Sequence, residues 1–191
     1  MVLAIPNGGV PIAVEVARAL NADLDVVVVR KIVLPMVLGG GLGAVADDGT
    51  VYLNEDLILK DNLNREQIEY EAENVKANVR QRSLKYHGGV PRAGLTGKTA
   101  IIIDDGLASG VTMAVAVEAV RHRRPKEIVV AVPVASVTGF NRASKLADKV
   151  VYYGIARMTR FFLADFYRHW GDINDDVTTY SLNQWRKSHT T

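Results

Sequence analysis

The stretch 99–112, TAIIIDDGLASGVT, decides how the rest of the chain is read. Residues 100–103 form a short, mostly β-branched and uninterrupted apolar run, the pattern of a strand buried on both faces of a parallel sheet. Asp104 and Asp105 then fall at its carboxyl end. Gly106, Ser109 and Gly110 permit a tight turn with exposed backbone, and Val111, Val115, Ala119 and Val120 mark one face of a helix over 111–124. A helix starting there points its free N–H groups and positive dipole end into the loop, which suits a phosphate, and the hydroxyls of Ser109 and Thr112 add donors. Two carboxylates beside that cradle would repel a bare phosphate, so they are read as holding hydroxyls, or a magnesium shell, further along the same ligand. A sugar phosphate satisfies both halves.

The order of these residues (apolar strand, Asp-Asp, two residues, a small residue, Ser, Gly, one residue, Thr, helix) resembles the signature of the type I phosphoribosyltransferases, which bind phosphoribosyl diphosphate (PRPP). The resemblance implies that Asp104 and Asp105, the catalytic candidates, hydrogen-bond the ribose 2′ and 3′ hydroxyls. It also implies that Gly106, Ala108, Ser109, Gly110, Val111 and Thr112 line the substrate site, with the loop holding the 5′-phosphate. Ser109 stands where Thr is commoner and Val111 where Gly is commoner. Ala108 stands where enzymes of 6-oxopurines carry an Asp, which is closer to the adenine and uracil enzymes.

Upstream, a strand over 2–5 is closed by Pro6-Asn7-Gly8-Gly9 and followed by an amphipathic helix over 10–20, with Val10, Ala13, Val14, Ala17 and Leu20 on one side. This second strand–loop–helix unit has the same anion-binding logic. In the resemblance Asn7, Gly8 and Gly9 hold the diphosphate, although relatives often carry a basic residue at Asn7. A chain that begins on a buried strand suggests that residue 1 is not the natural start. A second buried strand over 25–29 runs into Arg30 and Lys31, on the ligand side of an open α/β sheet. Lys31 is a candidate for contact with diphosphate oxygens, the alternative being an exposed pair.

Residues 38–46, LGGGLGAVA, contain G-x-G-x-x-A, but no strand runs into it and no helix follows, so a dinucleotide site is rejected. Residues 48–53 read as a turn and short strand, and 36–54 as a flexible excursion, which in the resemblance closes over the reacting centre and excludes water. A long polar helix over 65–86 carries the stripe Ile68, Ala72, Val75 and Val79; its Arg80, Arg82 and Lys85 are read as a solvated face, with the diphosphate as the alternative partner. LTGKT at 95–99 fails as a nucleotide loop because it precedes a strand and has Arg92 where the earlier glycine belongs. A strand over 127–132, a helix over 137–147 and a strand over 150–153 complete the alternation, which implies an open parallel β-sheet flanked by helices, with right-handed crossovers.

The tail 158–170 concentrates Phe161, Phe162, Phe166, Tyr167 and Trp170 among arginines. These aromatics stack on a flat nucleobase as a hood, seal the sheet edge, or form a dimer contact; Phe161 and Phe162 are the substrate-binding candidates. Residues 163–167 and 171–177 resemble the end of a largely uncharacterised phosphoribosyltransferase group that also shares 5–11 and 97–112. The expected organisation is one α/β domain over 1–191, with a core of about 1–155 and a hood or interface segment of about 156–191.

Composition narrows the function. A net charge of +2 argues against a large nucleic-acid footprint, and the dense basic run at 121–126 falls at a helix end where cations suit the dipole. The absence of cysteine excludes disulfides, thiolate metal sites and a cysteine nucleophile. No run approaches a membrane span and no leader is evident, so a cytoplasmic protein is expected. The resemblance implies transfer of a 5-phosphoribosyl group from PRPP to a nitrogen base with loss of diphosphate, in nucleotide metabolism. It further implies Mg²⁺ held mainly by PRPP near Asp104 and Asp105 with no direct protein ligation, and a homodimer. A PRPP-binding regulatory protein without turnover is the alternative.

Overall fold

In the computed structural model, which describes residues 1–34, 42–158 and 160–189, the central strand is β6 (Thr99–Ile103). It lies between β1 (Val2–Ala4) and β7 (Glu127–Ser136), and the full order is β2 (Leu24–Val26), β1, β6, β7, β8 (Lys149–Ala156), all parallel. The chain leaves β1 toward one edge and β6 toward the other, so the connections after the two central strands run in opposite directions. Such a reversal of connection direction marks a crevice, the usual ligand position of an open α/β sheet.

Alternation along the strands feeds two cores. Leu3, Ala100 and Ile102 pack with helix α4 (Val111–His122), whereas Val2, Ala4 and Ile103 pack with α1 (Gly9–Leu20) and α3 (Arg65–His87). The expected stripe of α3 holds: Ile68, Ala72 and Val79 are buried and Val75 packs against them. Asn64 caps it, its side chain accepting from the amides of Glu66 and Gln67. The helix predicted over 137–147 is shorter, α5 (Val137–Ala143), and β8 is longer than the predicted 150–153. As the edge strand β8 leaves Val151, Tyr152 and Tyr153 exposed, Tyr153 to 98%.

The strand predicted over 25–29 is two strands in different sheets. β2 ends at Val26, and β3 (Val29–Ile32) joins β4 (Gly43–Ala46) and β5 (Val51–Leu53) in a separate antiparallel sheet. Every residue from Val26 to Val29 is buried, Val27 toward one core and Val28 toward the other. Unbroken apolar character therefore hides the change of sheet. Arg30 and Lys31 accordingly lie inside β3, not at the carboxyl end of a parallel strand. A short helix α2 (Glu55–Lys60) follows. The glycine-rich segment at 38–41 and the first part of the expected excursion lie outside the described residues.

A buried ionic cluster ties the two sheets together. His87 Nδ1 lies 2.7 Å from the Ser83 carbonyl, and its Nε2 lies 3.3 Å from Asp25 Oδ1. Ser83 donates to Asp47, which also pairs with Arg92 at 2.8 Å. Burial alone would push His87 down, but Asp25 and the Ser83 carbonyl outweigh it and the net shift is upward; Asp25 is lowered despite its burial, chiefly by His87. The histidine's contribution is therefore complete below pH 6.5 and fades as pH rises through its raised folded value, while that of Asp25 is complete above its ordinary range and fades in acid. His87→Ala is expected to cost about 2 kcal/mol near pH 6. The deficit should shrink above the histidine's raised pKa, as followed by urea unfolding at several pH values.

The tail divides into two parts. A short 3₁₀ turn (Leu163–Phe166) sits above the central crevice, but α6 (Asp175–His189) packs on α1 and α3 with Thr178, Leu182 and Trp185 buried. The last helix thus belongs to the packed body and not to a hood.

Candidate functional site

The loops after β1 and β6 touch. Ile5 donates to the Ile103 carbonyl at 2.8 Å, continuing the ladder past both strands. A Cβ at Gly8 would collide with the Asp105 carboxylate, and one at Gly9 would meet the Ile103 carbonyl oxygen at 2.6 Å. Two glycines in sequence are what allow this approach. The Gly9 amide, expected to be a free donor, instead donates to the Ile5 carbonyl at 3.1 Å, and Val10 donates to Asn7. Among the described residues, the Asn7 and Gly8 amides are the donors of this loop without a backbone partner.

Between the loops lies a cleft of about 440 Å³. Ten of the sequence candidates line it: Asn7, Gly8, Lys31, Asp104, Asp105, Gly106, Ala108, Ser109, Gly110 and Thr112. Gly9 and Val111 are buried beside it at the starts of α1 and α4. Phe161 and Phe162 do not line it; Phe161 stacks on Phe166, Phe162 is 61% exposed, and Leu163 reaches the cleft instead. Arg30, which sequence reasoning left as one of an undifferentiated basic pair, lines this cleft together with Lys31. The antiparallel turn of β3 brings both there.

The 106–110 loop is held from below. Leu107 donates to the Val134 carbonyl and accepts from the Ser136 amide, Ser136 Oγ donates to the Ala108 carbonyl at 2.5 Å, and Arg142 donates to the Ser109 carbonyl. Gly110 takes φ +73° at the start of α4, a conformation costly for other residues. The carbonyls of Leu107, Ala108 and Ser109 are thereby spent on the protein scaffold, and the loop's small residues and the first turn of α4 face the cleft in a geometry that suits an anion.

Charge in the cleft has one pronounced feature. Burial, and next the neighbouring Asp105 charge, push Asp104 well above the ordinary carboxylate range, and Lys31 only partly offsets this. Asp105 is raised as well, chiefly by burial. The Tyr167 hydroxyl donates to the Asp105 carbonyl at 2.6 Å, and burial with both carboxylates nearby raises its pKa to about 12. Tyr167 so fastens the tail to the acid pair. Two adjacent, partly desolvated carboxylates that Lys31 only partly offsets favour ligands that donate hydrogen bonds or bring positive charge.

A second cleft of about 360 Å³ adjoins the first across Gly8, Arg30 and Asp105, and is walled by Tyr167, His169 and Trp170. Sequence reasoning named these aromatics only as part of a dense run; the spacing of Tyr167 and Trp170, whose rings lie 5.2 Å apart, was the available signal.

The phosphoribosyl transferase domain profile matches residues 66–167, a span that contains the acid pair, the 106–110 loop and Tyr167 but not the 6–9 loop. A protein carried in two strains of Mycobacterium tuberculosis, under a provisional phosphoribosyl transferase name, is 34% identical over 185 residues. The match covers 96% of this chain and 41% of that protein, so the chain spans about two fifths of its length. The crystal structure of TT1426 from Thermus thermophilus superposes with a TM-score of 0.76 at 33% identity, covering 96% of this chain and 86% of that one.

Proposed function

The chain belongs to the phosphoribosyl transferase family, and from that premise we propose that it moves a 5-phosphoribosyl group from PRPP to a nitrogen base. The C1′–O bond to diphosphate breaks, a C1′–N bond forms, and the nitrogen's proton passes to solvent. The observation that carries this reading is the raised acid pair set between two strand–loop–helix junctions. A sugar phosphate gives those carboxylates hydroxyls to accept from, while the loops take its two anionic ends.

Each group has a task in this reading. Asp104 and Asp105 bind the ribose 2′ and 3′ hydroxyls and favour positive charge growing on the ring. Ala108, Ser109, Gly110 and Thr112 seat the 5′-phosphate, and Lys31 with the Asn7 and Gly8 amides meets the diphosphate. Leu163 and Ala108 offer the acceptor an apolar wall. Mg²⁺ fits the donor set: hard oxygen ligands on two carboxylates whose ionisation a cation would favour. In this reading PRPP itself would be the main ligand, with the acid pair close by. When bound, the ion would neutralise charge on the leaving diphosphate.

We place the protein in the cytoplasm as a homodimer acting in nucleotide metabolism; no helix of the described residues is long and apolar enough to cross a membrane. One observation favours a PRPP-binding regulator instead: the Asn7 side chain is bonded to protein and not turned to ligand. Diphosphate release from PRPP and Mg²⁺ with a panel of purine and pyrimidine bases separates the two. Release with one acceptor is expected; tight PRPP binding with no release from any would leave the regulator.

A further inference from the structure

Behind the 6–9 loop, three segments converge on one carboxylate oxygen. Asp175 Oδ1, in the first turn of α6, accepts from Arg82 at 2.6 Å and from Asn7 Nδ2 at 3.1 Å, and lies 2.7 Å from the Tyr86 hydroxyl. That hydroxyl has one proton for two acceptors, since Asn7 Oδ1 is also 2.7 Å away, and it accepts from Arg82 at 3.0 Å. Asn7 Nδ2 donates again, to the Ile173 carbonyl at 2.8 Å. Both polar side-chain atoms of Asn7 thereby lie within hydrogen-bond distance of protein partners. A lysine or arginine at this position would have no acceptor to offer Tyr86.

The Arg82–Asp175 pair is also better shielded than a surface pair, with side chains 18% and 28% exposed. Such a pair holds its geometry better than an exposed one. A more exposed pair, Lys85 with Asp176 at 2.7 Å, joins the same two helices without touching Asn7. Arg30 couples electrostatically to Arg82, Tyr86 and Asp175 and lines both clefts.

We propose that Asp175 is a positioning residue for the diphosphate end of the ligand: with Tyr86 it clamps Asn7 to α3 and α6, and so fixes the loop whose remaining amides meet that group. The inference rests on the PRPP reading. It explains how a loop with an uncharged Asn7 is kept in register with Arg30 and Lys31, which supply the cations. It also makes the C-terminal helix part of the site, although no residue of α6 lines the cleft.

The test compares Asp175→Asn and Tyr86→Phe with Asp176→Asn, which breaks only the exposed helix pair. Calorimetry reads PRPP and ribose 5-phosphate, and hydrogen exchange reads residues 6–9. Asp175→Asn and Tyr86→Phe should each lower PRPP affinity about tenfold, leave ribose 5-phosphate within about twofold, and speed exchange in the loop. Asp176→Asn should do none of these. Equal losses for both ligands, or equal effects of Asp176→Asn, would reduce the contact to helix packing and overturn the proposal. Unchanged exchange and unchanged PRPP affinity in Asp175→Asn, with normal binding by the parent, would overturn it alone. No PRPP binding by the parent would overturn the transferase reading as well.

Discussion

Changing Asp104 and Asp105 together to asparagine is expected to weaken PRPP binding by roughly 1–3 kcal/mol for each charged hydrogen bond lost, while inorganic phosphate binds as well as to the parent or better. The difference arises because, in the proposed reading, the acids meet the sugar and not the phosphate. Asparagine keeps the size and one acceptor but removes the charge that makes that acceptor strong and that opposes a bare anion nearby. Turnover should fall further than affinity, since a ribose ring gaining positive charge also loses two neighbouring anions. Equal losses for phosphate and PRPP would mean that the pair only supports the loop.

The same variant should be more stable than the parent in the absence of ligand. Burial and mutual repulsion raise the folded pKa of the pair, so the folded state holds protons that the unfolded state has released. The pair's stabilising contribution is complete below the ordinary value of 3.8 and is lost as pH rises through the raised folded values. Above those values two strained carboxylates remain, and removing their charge is expected to return about 0.5–2 kcal/mol. For a chain of this size that is a rise of a few degrees in Tm, at about 2–4 °C per kcal/mol. PRPP affinity in the parent should rise with pH over that same window, because only the ionised pair accepts strongly from hydroxyls. A double variant that melts below the parent would contradict this electrostatic account.

What could be read from the sequence and what could not divides along the chain distance of the contacts. The stretch 99–112 carries strand, acids, loop and helix start in unbroken order, so local pattern was enough to group Asp104, Asp105 and the 106–112 residues before any coordinates. The 25–29 run failed because burial is identical on either side of the change of sheet, and no Gly, Pro or polar residue marks the break. Helix α6 had a signal that went unused: Asn174 caps it by accepting from the amides of Asp176 and Val177, and Thr178, Leu182 and Trp185 repeat at helical spacing. The Asn7 contacts had none, since they join residues 79 and 168 positions apart. Nor does the run of aromatics single out Tyr167 from Phe161 and Phe162, since its hydrogen bond to the Asp105 carbonyl leaves no mark in a string of letters.

Gly9→Ala is expected to destabilise the fold by roughly 3 kcal/mol, a loss of about 10 °C in Tm. The added methyl would lie 2.6 Å from the Ile103 carbonyl oxygen and 3.1 Å from Asp104 Cα, both backbone atoms with no side-chain torsion to yield. Relief requires the carboxyl ends of β1 and β6 to part, which stretches the Ile5–Ile103 hydrogen bond and lifts the 6–9 loop off the acid pair. The loops after the two central strands line the cleft, so the movement also separates the 6–9 loop from the acid pair. PRPP affinity should therefore fall even where the variant remains folded. Gly94→Ala is the matched control: a Cβ there meets nothing within 4 Å and the backbone is not in the left-handed region, so replacing it should leave Tm within about 2 °C. If Gly9→Ala melts with that control and binds PRPP like the parent, the close approach of the two loops is not what holds the site together, and the geometry assigned to Gly8 and Asp105 falls with it.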